Sequence, residues 1–187
     1  MIYENESRVS MTFLGIVKSR RSIRRYKPDP VPRGLVEKCL EAARYSPSAC
    51  NTQCFRFIIA EKAMKDRLAS ECLGEPPVPN RWAAQAPVIA VLAVRKNIVT
   101  HTVGGNIKGT RYDLLDAGIA GEHFVLQAAE LGLGTCWLGW FRKGRVRKLL
   151  GIPGNWDIAA MITLGYAVEE PGEIARIPMD VIREYRE

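Results

Sequence analysis

The spacing of apolar residues changes several times along the chain, and each change predicts an element. Phe13, Leu14, Ile16 and Val17 follow a polar start and predict a short helix over 12–18. Leu35, Val36, Cys39, Leu40 and Ala43 share a helical face over 31–44, with Pro32 suited to the first turn and Pro47 placing a stop. Residues 55–60 read as a strand, followed by a charged helix from Glu61. Three prolines within 74–79 mark a loop, and 81–85 reads as a short helix. Residues 88–94 are apolar at every position, the pattern of a strand buried on both faces.

A loop over 96–109 follows. Thr110 with Asp113 resembles a capping box. It would open the longest helix, with Leu114, Ala117, Gly121, Phe124, Ala128 and Leu131 on one stripe and Gly132 and Gly134 at its end. Residues 135–140 and 158–166 read as strands, and 142–150 as a helix closed by Gly151-Ile152-Pro153. The tail from Glu170 predicts a short final helix at most. No repeat and no boundary divides the chain, so one domain over 1–187 is expected, with 1–11 as an N-terminal extension. Helices and strands mix without a strict βαβ rhythm, which favours α+β, or an irregular α/β sheet covered by helices.

Composition adds bounds. The chain has 187 residues, 47% hydrophobic and 25% charged, enough for one sizeable core. The 88–94 run is far too short to span a bilayer, and the acidic, polar start is unlike a signal peptide. No membrane association is expected. Five cysteines without a CxxC pair read as reduced thiols in a cytoplasmic protein. The two histidines lie far from them, so no metal site is expected. A net charge of +7 predicts attraction to an anion: nucleic acid, a nucleotide cofactor or an acidic surface.

That charge is concentrated. Ser19-Arg20-Arg21-Ser22-Ile23-Arg24-Arg25 carries four arginines, and Pro28, Pro30 and Pro32 follow. In extended chain, Arg20, Ser22 and Arg24 project to one side and Arg21, Ile23 and Arg25 to the other. Two guanidiniums flanking a hydroxyl suit a phosphate monoester. Taken alone, the same arginines read equally as a solvated basic face. Nucleic-acid binding lacks support, because no aromatic residues are interleaved for base stacking. A second polar cluster, Ser46-Pro47-Ser48-Ala49-Cys50-Asn51-Thr52-Gln53, offers neutral donors and acceptors suited to a heterocycle edge, though it also reads as an ordinary polar loop.

Other motifs fall away. Gly132-Leu133-Gly134 lacks the third glycine of a dinucleotide fingerprint and ends a helix instead of opening one. In Gly104-Gly105-Asn106-Ile107-Lys108-Gly109-Thr110 the lysine is misplaced for a phosphate loop, leaving a surface loop or an active-site cover. Cys39 and Cys136 lie in apolar segments as inert thiols, and His123 as a packed histidine.

Four segments, in order, resemble the FMN-dependent nitroreductase family. Arg20-Arg21-Ser22-Ile23-Arg24 is similar to its N-terminal phosphate and flavin motif. Pro47 to Gln53 resembles its PS-x-x-N-x-Q segment. Gly132-Leu133-Gly134-Thr135-Cys136-Trp137-Leu138-Gly139 resembles its GLGTCWIG segment. Ala175-Arg176-Ile177-Pro178-Met179 resembles its C-terminal Arg-x-Pro turn.

The resemblance implies an α+β nitroreductase-like fold with a central, mainly antiparallel sheet covered by helices, in an intertwined homodimer holding FMN between subunits. By position, Arg20, Ser22 and Arg176 would meet the phosphate, with Arg21 beside them, since Ile174 stands where some members have a second basic residue. Arg24 would lie near the N1–C2 carbonyl edge and tune the flavin. Pro47, Ser48, Ala49, Asn51 and Gln53 would come from the partner subunit. Trp137, Leu138 and Gly139 would face the ring, and Asn80 its pyrimidine edge. No side chain need be catalytic, since the cofactor carries the redox chemistry. NADH or NADPH would supply hydride in a ping-pong exchange, and a small nitroaromatic or quinone acceptor would take it. The alternatives are a relative that dehalogenates an aromatic amino acid or fragments flavin, and a flavin-binding or nucleic-acid-binding protein without turnover.

Overall fold

The computed structural model describes residues 12–73, 80–95, 111–169, 172 and 174–187. Thr12 caps α1 (Phe13–Ser19), its hydroxyl accepting from the Gly15 amide at 3.2 Å. Pro32 does not enter the first turn of α2 (Arg33–Arg44); it stands at the cap with an extended ψ of 132°, so the helix begins at Arg33. A 3-10 turn (Ala49–Asn51) leads to β1 (Phe55–Glu61) and α3 (Lys62–Leu68), which ends in a π turn (Ala69–Leu73). The 81–85 segment is a 3-10 turn before β2 (Val88–Arg95). Then come α4 (Tyr112–Glu130), β3 (Gly134–Leu138), α5 (Lys143–Leu150), β4 (Trp156–Gly165) and the short α6 (Met179–Ile182).

The cap of α4 is Arg111, and its guanidinium pairs with Asp113 at 2.7 and 2.9 Å. The residues predicted to continue β3 to Trp140 leave the sheet after Leu138, where pairing with β4 ends at Met161. Thr110, the 74–79 and 96–109 loops and the 1–11 extension lie outside the described residues.

The four strands form one antiparallel sheet in the order β1-β2-β4-β3, so this is an α+β fold. β2 lies between two neighbours and carries helices on both faces, which is why every residue from Val88 to Val94 is apolar and buried. Ile89 and Val91 pack with Leu68, Leu73, Val146 and Met161 on one side. Val88 and Ala90 pack with Val36, Cys39, Phe124 and Ile162 on the other. Phe124 of α4 stacks on Phe57 of β1, ring centroids 5.2 Å apart.

α4 thus anchors its stripe under the sheet, with Ala117, Gly121, Phe124 and Ala128 buried. Leu114, expected on that stripe, is instead exposed with Leu115 and Ile119, as are Phe13, Leu14 and Val17 of α1. His123 is half-buried, and its Nδ1 is buried without a protein partner. Among the described residues, no helix is long and apolar enough to cross a membrane.

Candidate functional site

The arginine segment is extended, as its prolines demand. It lies along the outer edge of β3, where Ser22 bridges to Thr135 in parallel and the Ile23 amide donates to the Thr135 carbonyl at 2.8 Å. Gly134 permits this approach: a Cβ there would come within 2.6 Å of the Ile23 side chain. Ile23 is buried, which fixes the direction of its neighbours. Behind it, the Tyr26 hydroxyl lies 2.7 Å from both the Ile23 carbonyl and the Thr163 hydroxyl, and Thr163 reaches the Cys136 carbonyl at 3.3 Å. Burial raises the Tyr26 pKa, so this strut stays protonated.

The two predicted faces are separated. Burial pushes the Cys136 thiol pKa up, while Arg24, the Ser22 hydroxyl and Arg20 all oppose it. Those three side chains therefore act on one common point on β3. Arg24 also lies 5.8 Å from the centre of the Trp82 ring, and Arg20 lies 3.8 Å from Glu122 of α4.

The other face is occupied by the chain's own C-terminal segment. Lys27 donates to the Tyr166 carbonyl at 2.9 Å, and Val168 donates to the Arg25 carbonyl at 3.2 Å. Arg25 pairs with Glu169 at 2.9 Å, and Arg21 Nε donates to the Gly172 carbonyl at 3.1 Å. Arg21 also donates to the Lys18 and Arg20 carbonyls, so it ties the two chain segments together. Residues 166–169 thus lie antiparallel to the arginines, with Gly172 beside Arg21. Arg176 follows four residues on, with its side chain exposed.

The 47–53 loop is built differently. Cys50, Asn51 and Gln53 have φ of 52°, 53° and 45°, a left-handed backbone that costs a non-glycine residue about 1 kcal/mol or more. The Ser48 hydroxyl accepts from the Gln53 amide at 3.0 Å, and Gln53 Nε2 donates to Asn51 Oδ1 at 2.8 Å. Asp116 of α4, buried at 3% exposure, accepts from the Ala49 amide at 3.0 Å and faces Cys54 Sγ at 3.8 Å. Pro47 stands exposed at the start of the loop.

Beyond β3, Leu138 is buried and Gly139 exposed. Asn80 Nδ2 donates to the Trp140 carbonyl at 2.8 Å, which puts Asn80 beside the exit of β3. The Trp137 indole packs over Gly121.

Comparison with known proteins identifies the family. Residues 17–166, most of the chain, match the model described as the Nitroreductase family. The chain belongs to the nitroreductase family. A protein named NADH dehydrogenase from Thermus thermophilus is 31% identical, the match covering 89% of this chain and 92% of that one. A nitroreductase family protein from Clostridium difficile 630 superposes with a TM-score of 0.81 at 25% identity, covering 95% of this chain and 99% of the other. An FMN-dependent nitroreductase from Clostridium difficile R20291 superposes with a TM-score of 0.73 at 26% identity, covering 92% and 98%.

Within this nitroreductase chain, Arg20, Ser22, Arg24 and the β3 segment come together at one sheet edge, with Asn80 beside the β3 exit. The 47–53 loop is held elsewhere on α4. Its anchor Asp116 and the Arg20 partner Glu122 are six positions apart, so they project about 120° apart around the helix. Sequence reading missed Glu122, Trp82 and Asp116. Asp116 had a signal available: it is an acid on the apolar stripe of the longest helix, one turn after Asp113.

Proposed function

We propose that the protein is an FMN-dependent oxidoreductase that draws on NADH or NADPH and works as a homodimer. The observation that carries this is the extended segment along β3, with Ser22 bridged to Thr135 and Ile23 buried, which leaves Arg20, Ser22 and Arg24 on the face opposite Arg21 and Arg25. Two guanidiniums flanking a hydroxyl are the donor set a phosphate monoester needs, and the family resemblance assigns Arg176 to the same phosphate. The family kinship, with relatives named as an NADH dehydrogenase and an FMN-dependent nitroreductase, supports the rest of the cofactor.

Bound there, FMN would supply two-electron chemistry, accepting hydride from the nicotinamide and passing it to a nitroaromatic or quinone. The chain's own residues bind and orient. Arg20, Ser22 and Arg176 neutralise the phosphate, while Arg21 braces the C-terminal segment that brings Arg176 round. Arg24, lying 5.8 Å from the Trp82 ring, would place positive charge near the flavin edge that becomes negative on reduction. Trp137, Leu138 and Gly139 form the floor at the end of β3, and Asn80 buttresses its exit.

Pro47, Ser48, Ala49, Asn51 and Gln53 would complete the site from a second copy, which accounts for their separation from the arginines within one chain. Further support comes from surfaces left bare: the apolar faces of α1 and α4, the outer edge of β1, and a tail with Met179, Val181 and Ile182 exposed. Five free thiols fit a reducing, cytoplasmic setting.

The test is to purify the protein and record its spectrum. A yellow preparation with a flavin spectrum that NADH or NADPH bleaches, and a nitroaromatic or quinone restores, is expected. A colourless protein that takes up no added FMN overturns the reading.

A further inference from the structure

We infer that Asp116 is a positioning residue: by holding both ends of the 49–54 segment it sets the shape in which that loop meets the flavin. The inference rests on the flavin reading above. Asp116 lies on the buried side of α4 beside Ala117 and Ala120, where a carboxylate is costly unless its oxygens are bonded. One oxygen takes the Ala49 amide at 3.0 Å and the other faces the Cys54 thiol at 3.8 Å. Ala49 and Cys54 bracket the three left-handed residues, Cys50, Asn51 and Gln53.

The bonds within the loop close it on itself: Asn51 donates to the Ser48 carbonyl, Thr52 to the Ala49 carbonyl, and Gln53 to the Ser48 hydroxyl. They fix its internal turn. Asp116 fixes where that turn sits, because α4 is itself clamped by Phe124 and Val125 in the core. Both of its oxygens face partners in the loop, so it acts on the cofactor only through the residues it holds.

Two measurements on the whole protein test this: amide hydrogen exchange of the peptide covering 47–54 without ligand, and FMN affinity by fluorescence titration. For Asp116→Leu, exchange in the loop is expected to quicken tenfold or more and the FMN Kd to rise tenfold or more, with exchange in β2 and β4 unchanged. Asp116→Asn keeps an oxygen for the Ala49 amide and falls between this variant and the parent. Cys54→Ala, which removes one held group, shifts both readouts in the same direction by less.

Should Asp116→Leu not fold, Asp116→Asn and Cys54→Ala decide. Unchanged exchange in these variants overturns the inference, and so does faster exchange with an unchanged FMN Kd. Failure of the parent protein to bind FMN at all is a different result: it sinks the flavin reading before any substitution, while loop exchange still decides whether Asp116 holds the loop.

Discussion

At the scale of single residues, the guanidinium of Arg24 is the sharpest target. Among the described residues it makes a long contact to the Ser22 carbonyl at 3.4 Å and lies against the Trp82 ring, near Cys136 and Tyr26. A charge-assisted bond is worth about 1.5–3 kcal/mol, so Arg24→Ala is expected to weaken FMN binding by about 10- to 100-fold or to lower the flavin midpoint potential. Fluorescence titration and spectroelectrochemistry check it, and unchanged values for both exclude the role. The cysteines give a pH prediction. Burial pushes the Cys39 thiol up to about 12 and, as the largest influence, Cys72 to about 11, against an ordinary thiol near 8.5. The folded chain keeps protons that the unfolded chain releases. Stability from these groups is therefore full below about pH 8.5 and falls as pH rises towards 11, by at most about 1.4 kcal/mol per pH unit for each thiol. Urea midpoints measured from pH 8 to 10.5 should decline over that window; a flat profile refutes it.

Among elements, α4 carries the most, because it serves the core, the loop and the arginines from different faces. Gly121 sits where a side chain would strike the Trp137 indole, so the helix and β3 are spaced by the missing Cβ. Gly121→Val should cost about 1–3 kcal/mol by overpacking, seen as a lower denaturation midpoint, and should shift Trp137 fluorescence; a silent substitution would mean the indole has room to move. Elements were the level most legible in the sequence. The runs at Leu35–Ala43 and Val88–Val94 carry their period openly, and helix and strand limits fell within a few residues of the pattern. What failed were local cues that compete with distant ones. Pro32 sat outside its helix, and Asp113 took Arg111 as its partner. Asp116 was invisible as a loop anchor because its partners are 67 and 62 residues away.

For the whole molecule, the apolar surface of α1 and α4, with Phe13 72% exposed and Leu115 53%, fits the proposed homodimer. Placing a charge there should separate the copies. Ile119→Asp is expected to sediment as a monomer and to lose FMN affinity, since the arginines and the 47–53 loop would no longer meet. A dimer that persists with this substitution would move the interface elsewhere. The sequence resemblance pointed to the arginines and the loop as parts of one site. It also implied that the loop comes from the partner subunit, but not that α4 holds the loop and the arginines on faces about 120° apart.

The pairing of Arg21 with Gly172 and of Arg25 with Glu169 spans 151 and 144 residues. A ribosome finishes almost the whole polypeptide before these partners can meet. If these arginines hold the flavin phosphate as proposed, that pocket is among the last features to form, and a nascent chain has nowhere to load a cofactor. On the proposed reading, a chain cut just after β4, before Glu169, would keep the packed sheet but lose both pairings, and it is expected to stay colourless.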